Sequence, residues 1–591
     1  LGVDLLRLQP DHAHTQISTK TFAGPRRRSV WQSRFTWAVL VLLVIAFAVG
    51  GYRSLQRFQN PRMSGKLLTV LPFESSSPNE KTNALLAGLT DTITANLSQA
   101  WGTDLQLVPA REVREQRVKT TEQAWKEFGS ELVLEGSAHT VGNQIRINCS
   151  LVDPRSHRQI TARTITADTN DVFGLEDQVA GEIMQLLATN VGLRSQSVPA
   201  GRSENKPEAY ASYLRARGYL HEYQKAENID LAVAELKNAV ALDPRYAEAY
   251  AALGEAYLLG YQQVNRGADW VEKAQQSCRN SLVLRETAEG RICLGGVYNQ
   301  TGNYGLAVPE FERAVQLDES DEDGLRGLAD AYVKLGNPAA AEATYKKAAE
   351  LRPNYWGVYS WLGYFYFGQA RYADAAAQFK HVVTLAPNNE RGYSNLGAMY
   401  SMQGKYLESL VPLKQSIEIR PSLEAFNNLG NSYFNLRRYP EAAEAFQRGL
   451  NLDDTDWLLW GNLGDSLYWS GTQRSEAKAA YEHAISRAEK RREVNPKDAT
   501  VLAFLADYYA MAGNREQALK NIEQALAVAP NDSEARYRSA IVYNQLGDQE
   551  RCLAALGNAI KLGYSARVIA DTPDFDHLRN NAKFKKLVGL T

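Results

Sequence analysis

The sequence predicts a mainly α chain: an α-solenoid of about ten helix-pair repeats, preceded by a small α/β domain and one transmembrane helix. Three observations carry this expectation. A Leu-Gly pair with Tyr three residues after the glycine recurs between residues 253 and 433, a strand-helix-hairpin pattern precedes it, and residues 35–52 carry no charge.

Composition sets the bounds. At 591 residues and 44% apolar, the chain is long enough for several globular domains and a sizeable core. Its 66 Lys and Arg are matched by 67 Asp and Glu, so no whole-chain electrostatic footprint for nucleic acid exists. Cys149, Cys278, Cys293 and Cys552 lack CxxC spacing. That speaks against a zinc site or a disulfide framework, and the four read as small buried apolar residues.

The uncharged run from Phe35 to Tyr52 would reach roughly 27 Å as a helix, close to the ~30 Å hydrocarbon core of a bilayer. Trp37 and Tyr52 stand near its ends as interfacial anchors. Ala46 and Ala48 also make the A-x-A pattern of a signal peptide, but the residues ahead of the run are too many for a signal n-region. Lys20, Arg26, Arg27, Arg28 and Arg34 lie before the run, and Arg53, Arg57, Arg62 and Lys66 after it. The Arg26–Arg28 cluster in the basic juxtamembrane segment 1–34 tips the expected orientation toward a cytoplasmic amino end.

Residues 65–192 read as a compact α/β unit. "KLLTVLPF" is a buried strand, and Leu86, Leu89, Ile93 and Leu97 recur at helical spacing to cover it. Two strands meet at Gly142-Asn143, where Ile145, Ile147, Cys149 and Leu151 alternate with Gln144, Arg146, Asn148 and Ser150. Val179, Ile183 and Leu187 mark a closing helix. These segments resemble the TolB-like domain of bacterial receptor-type proteins, with a departure at Leu85, Leu86, Ala87 and Gly88, where that family usually has an aromatic or acidic residue before the glycine. The resemblance implies a fold and no ligand. His139 and His157 read as solvated strand and turn residues rather than metal ligands.

A Ser/Pro/Gly-containing linker, 193–206, leads into the repeats at 207–563. The motif occurs at Leu253-Gly254-Tyr257, Leu294-Gly295-Tyr298, Leu362-Gly363-Tyr366, Leu396-Gly397-Tyr400 and Leu429-Gly430-Tyr433, most neighbouring copies being one 34-residue period apart. Relaxed copies stand at Leu214, Leu328, Leu463, Leu505 and Ser539. A small residue follows in Ala307, Ala341, Ala375, Ala442 and Ala518, then proline in Pro353, Pro387, Pro421 and Pro530. This is the tetratricopeptide repeat pattern. Its glycines are expected where helices touch closely, and longer spacings, Leu253 to Leu294 and Leu463 to Leu505, imply lengthened helices or loops. Phe575, Leu578, Phe584 and Leu587 in 564–591 predict a capping segment.

No Walker loop, GxGxxG, HExxH, GxSxG, HRD or DFG motif occurs, so no enzyme activity, cofactor or metal is expected in this chain. What remains is a groove lined by the first helix of each repeat, suited to protein or peptide ligands. Asn395, Asn428 and Asn462 precede the leucine of three successive repeats, and an amide can both donate to and accept from a peptide backbone. The row resembles the asparagine ladder of the O-GlcNAc transferase superhelix, with three rungs; the bland alternative is tolerated repeat consensus or an internal cap. Asn427, Asn431, Phe434, Asp465, Tyr468 and Trp469 occupy positions that face the groove in this family, although the aromatics, like Tyr364 and Phe367, can equally be core.

The order of "DLLRLQ", basic cluster, span, α/β domain and repeats resembles the carboxy-terminal portion of bacterial receptor-type serine/threonine protein kinases. It implies a single-pass protein of the bacterial inner membrane, anchored through residues 35–52, with an extracytoplasmic carboxy-terminal part, no nucleic acid bound by this chain and an open oligomeric state. The alternatives are a membrane-bound winged-helix transcription regulator and a stand-alone envelope scaffold.

Overall fold

The computed structural model describes residues 66–75, 79–101, 105–141, 144–168, 171–191, 205–264, 266–471 and 473–590. They form two compact units that meet in sequence at Val358 and Tyr359. The stretch 35–52 lies outside the described residues. Among those described, no helix is long and apolar enough to cross a membrane, which overturns the assignment to the inner membrane by a single pass with an extracytoplasmic carboxy-terminal part. The longest helices show why: Glu80–Trp101 carries Lys81 and Asp91, and Arg474–Val494 is rich in Arg, Lys and Glu.

The first unit begins with a mixed sheet. Strands β1 (Lys66–Val70), β2 (Glu74–Ser75), β3 (Leu105–Leu107), β4 (Leu132–Val141), β5 (Gln144–Asp153) and β6 (Arg158–Asp168) take the order β3-β1-β4-β5-β6, with β2 on β4. β1 runs parallel to β3 and β4, while β4, β5 and β6 form an antiparallel meander in which Val141 pairs with Gln144. Along β5, Ile145, Ile147, Cys149 and Leu151 are buried while Gln144, Arg146 and Asn148 are exposed. Helices α1 (Glu80–Trp101) and α4 (Val172–Val191) supply Leu86, Leu89, Ile93, Leu97, Val179, Ile183 and Leu187 to the core. Two short helices, α2 (Ala110–Glu115) and α3 (Thr121–Phe128), join β3 to β4.

Four helix pairs follow in this unit: α5 (Pro207–Tyr219) and α6 (Ala226–Leu242), α7 (Ala247–Val264) and α8 (Asp269–Leu284), α9 (Ala288–Gln300) and α10 (Tyr304–Leu317), α11 (Glu322–Lys334) and α12 (Pro338–Leu351). The sheet-bearing part packs directly on them. α1 crosses α5 at two glycines that face each other's backbone: a Cβ on Gly88 would lie 2.6 Å from the Leu214 carbonyl carbon, and one on Gly218 would lie 2.5 Å from that of Ala84. Phe173 of α4 stacks on Tyr210 of α5 at 4.6 Å, and the Tyr210 hydroxyl donates to Glu176.

Cys278 and Cys293 form a disulfide between α8 and α9, which corrects the reading of all four cysteines as simple apolar filler; Cys149 and Cys552 are buried and free. The repeat itself brings the two together. Their sequence separation of 15 spans one helix-to-helix turn, and both sulfurs point at Gly254, where a Cβ would meet them at 2.7 Å or less.

The second unit starts within α13 (Trp356–Gly368). It continues as α14 (Tyr372–Leu385), α15 (Glu390–Met402), α16 (Tyr406–Ile419), α17 (Leu423–Asn435), α18 (Tyr439–Leu450), α19 (Trp457–Trp469), α20 (Arg474–Val494), α21 (Ala499–Met511), α22 (Arg515–Val528), α23 (Ser533–Gln545) and α24 (Gln549–Lys561). The long spacing after Leu463 is absorbed by the 21-residue α20. First helices start on side-chain caps, as Asn389, Ser422, Asp456, Asp498 and Asp532 each accept a first-turn N–H, an arrangement worth about 1 kcal/mol per helix. The chain ends in α25 (Ala566–Asp571), a 3₁₀ turn (Pro573–Leu578) and α26 (Ala582–Val588), with Phe575, Leu578 and Phe584 buried.

The repeat glycines sit under the large side chain of the second helix. A Cβ on Gly397 would come within 2.5 Å of Leu413 Cγ, one on Gly430 within 2.5 Å of the Phe446 ring and one on Gly464 within 2.6 Å of the Tyr481 ring. The small column, Ala307, Ala341, Ala375, Ala442 and Ala518, is fully buried. Replacing Gly397 by Leu is therefore expected to cost about 1–3 kcal/mol by overpacking; an unchanged thermal midpoint would refute this role. In the first unit, Gly218→Ala is expected to loosen the sheet-bearing part from the repeats at a similar cost, about 1–3 kcal/mol, because the obstacle is backbone. Faster limited proteolysis between α4 and α5 checks it.

Candidate functional site

Two first-helix faces exist, one in each unit, and the chain uses them differently. In the first unit that face is spent on the chain's own α/β part. Arg111 of α2 lies 2.8 Å from Asp323 at the start of α11, Arg352 after α12 donates to the Leu107 carbonyl at 3.2 Å and pairs with Glu322 at 2.8 Å, and the Asn354 N–H donates to Gln106 Oε1 at 3.0 Å. Asp91 of α1 is buried between Arg114, Arg217 at 3.6 Å and His221 at 2.9 Å. Burial alone would raise its carboxyl, but His221, Arg114 and Arg217 together hold it well below the usual range. Nearby, burial pushes Glu112 up to about 7 and Glu322 up to about 8.

The second unit holds every residue of the predicted site. Its asparagines form a row, and they bond to neighbouring helices rather than standing free. Asn395 Nδ2 donates to the Tyr364 hydroxyl at 2.9 Å, Asn428 Nδ2 to Ser394 Oγ at 3.4 Å, and Asn462 Nδ2 to Asn427 Oδ1 at 3.1 Å. The last two are the same bond one repeat apart: the residue before the leucine reaches the residue one position earlier in the preceding repeat. Asn427 Oδ1 also accepts from Asn431 Nδ2 at 3.2 Å. Asn428 is 3% exposed and its Oδ1 has no hydrogen-bond partner.

The aromatic candidates divide. Phe367 is buried core, Tyr364 packs edge-on to Phe379 while bonding Asn395, and Phe434 packs edge-on to Tyr439. Tyr468 and Trp469 are half-buried and meet edge to face at 5.3 Å, with the Arg474 guanidinium over Tyr468.

Asp465 belongs to a wider network that sequence reasoning did not assemble. Its carboxylate accepts from the Tyr481 hydroxyl at 2.7 Å, Asp507 pairs with Arg538 at 2.8 Å, and Asp574 accepts from Gln545 Nε2 at 3.0 Å. The Arg538 guanidinium lies 3.8 Å over the Phe504 ring. Repeat register was the signal available: Asp465 and Asp507 share the position after the repeat glycine or its alanine replacement, and Asn462, Phe504 and Arg538 share the position before the leucine or its replacement. A buried serine cluster was also missed, in which Ser432 Oγ lies 2.7 Å from Ser401 Oγ and 2.8 Å from Ser409 Oγ.

Models of the tetratricopeptide repeat match residues 294–321, 326–390, 392–420, 423–456, 459–491 and 505–562. These helix pairs are tetratricopeptide repeats. A Rhizobium meliloti (strain 1021) protein named putative adenylate cyclase 3 is 26% identical over 188 residues, 32% of this chain, and the match spans about a third (32%) of that relative's length. Among solved structures, the Cut9–Hcn1 hetero-tetramer of APC/C is 15% identical, covering 71% of this chain and 86% of that one at TM-score 0.33. A thermophilic repeat protein of Thermus thermophilus is 23% identical, covering 31% and 100% at TM-score 0.25. YrrB, described as having an unusual peptide-binding site, is 23% identical, covering 32% and 92% at TM-score 0.25.

The acidic network has a pH consequence. Burial, then the neighbouring Asp507 and Asp574, pushes Asp465 up to about 8; burial, then Asp507, pushes Asp574 up to about 6. Burial also raises Asp507, against the pull of Arg538. The folded unit thus favours the protonated acids, so this contribution to stability is complete below about pH 4 and is lost as pH rises through about 6 and then 8. Asp465→Asn, neutral throughout and still able to accept from Tyr481, is expected to melt above the wild type near pH 9 and level with it near pH 4. Parallel thermal melts at the two pH values decide it.

Proposed function

We propose that the chain is a protein- or peptide-binding scaffold whose ligand lies along the first-helix face of residues 390–469. Asn395, Asn428 and Asn462, with Asn427, Asn431, Asp465, Tyr468 and Trp469, make the contacts. One observation carries the reading: a row of amides on successive first helices, pinned by helix-to-helix hydrogen bonds. Pinned amides present their remaining donors and acceptors without first losing side-chain freedom, which favours capture of an extended backbone. Tyr468 and Trp469 at one end, beside Asp465, add preference for an aromatic side chain.

The scaffold would serve a larger signalling protein. The sequence resemblance favours a receptor-type serine/threonine kinase as the parent, and the name of the Rhizobium meliloti relative favours a nucleotide cyclase instead. Sequencing the gene on both sides of this segment separates the two by the catalytic motifs found.

Selection of displayed random peptides on the purified chain is expected to enrich an extended motif. Replacing Asn395, Asn428 and Asn462 together by Ala should reduce binding of the selected peptide at least about tenfold, as befits loss of several hydrogen bonds. Unchanged binding by a triple variant that still melts cooperatively would sink the ladder.

A further inference from the structure

The carboxy-terminal segment of the second unit does more than cover the last helix pair. Phe575 packs on Tyr537 of α23, Thr572 meets the Tyr537 hydroxyl at 3.0 Å, and Asn544 at the end of α23 donates to the Asp574 carbonyl at 2.9 Å. From there the segment reaches turns far earlier in the chain. Asp576 receives both arms of the Arg437 guanidinium, at 2.5 and 3.0 Å, across 139 residues of sequence, and the Arg567 guanidinium lies beside Gly404. Arg579 completes the set at 2.9 Å from Asp576.

Residues 566–579 therefore run from the carboxy-terminal end of first helix α23 to the turns that end first helices α15 and α17. Within this segment, Asp574 lies close enough to Asp465 to push its carboxyl up. A cleft of about 500 Å³ lies under this crossing, lined by Tyr406, Asn435, Arg437, Asp571, Asp576 and Arg579.

Arg437 is unusual for its place. The turn after a first helix needs a left-handed residue, and Gly404, Gly471, Gly513 and Gly547 supply it; Ala370 and Arg437 occupy it at φ +53° and +60° without being glycine. Alanine there contributes no head group. Arginine places a guanidinium on Asp576, at the cost of a conformation that residues with a Cβ adopt reluctantly. The Arg437 hydrogen bond holds the Asp576 carboxyl below its ordinary range, so the pair stays ionised near neutrality. Both side chains remain partly open to solvent, 45% and 36% exposed, which leaves the contact sensitive to salt.

We propose that residues 566–588 are an intramolecular latch, fastened by Arg437 to Asp576, which closes one side of the first-helix face and must release before a folded or bulky partner can lie on it. A thin extended peptide could thread behind it, whereas a larger partner would have to displace it. The consequence for binding rests on the reading of that face as a ligand groove; the latch itself does not, and its test uses no ligand.

The test is hydrogen exchange on the full chain, comparing amides of 566–588 with those of α18. Arg437→Gly removes the guanidinium and suits the left-handed turn, so it opens the latch without adding strain; Asp576→Asn removes the partner. Both are expected to speed exchange of 566–588 selectively by about fivefold at low salt, the upper range for a partly exposed ion pair. The difference from wild type should vanish in about 1 M salt, where screening has already loosened the pair. Unchanged exchange in both single variants, or an equal rise in α18, would overturn the latch.

Discussion

The first unit depends on a contact in which two helices touch with no side chains between them. At Gly88 and Gly218 the backbones of α1 and α5 lie so close that each glycine meets the other helix's carbonyl carbon. This approach brings Asp91 against Arg217 and His221, and Glu176 against Tyr210. Burying that many ionised groups is costly, and they are tolerated because each carboxylate or guanidinium finds partners from both sides of the crossing. Widen the crossing and those charges would sit in a dry gap without company.

The second unit solves a related problem by repetition. Its first helices carry polar side chains on the face where a solitary helix would turn to water, and they satisfy one another sideways: Asn428 on Ser394, Asn462 on Asn427, Ser401 on Ser432. Toward the carboxy end the same positions change chemistry, from amides to Asp465, Asp507 and Arg538. One face thus grades from amide hydrogen-bonding groups to an end of buried acids set against Arg538.

Much of this was legible from the chain alone. The Leu-Gly-Tyr period gave the helix pairs, because a glycine buried under Phe446 or Leu413 cannot vary freely, and the alternation in β5 gave its buried side. The strands at either side of Gly142-Asn143 followed from the same logic. Three features were not legible. The docking of α1 on α5 hides in single glycines whose partners are more than a hundred residues away. The disulfide joins cysteines whose spacing matches no motif, since it is the helix-turn-helix period that brings them together. The asparagines could be placed on a common row, but not their partners: Ser394 and Tyr364 carry no signal until the superhelical offset between repeats is known.

The Cys278–Cys293 bridge gives the solenoid a mechanical property that its neighbours lack. It joins the second helix of one pair to the first helix of the next, so it crosses the seam along which stacked repeats come apart. An array of this kind, pulled from its ends, peels pair by pair. With α8 tied covalently to α9, peeling from either direction has to stop at that seam or extract both helices together. Reduction would return the seam to the strength of packing alone, so the force at which this part of the chain yields is set by thiol chemistry as much as by its core.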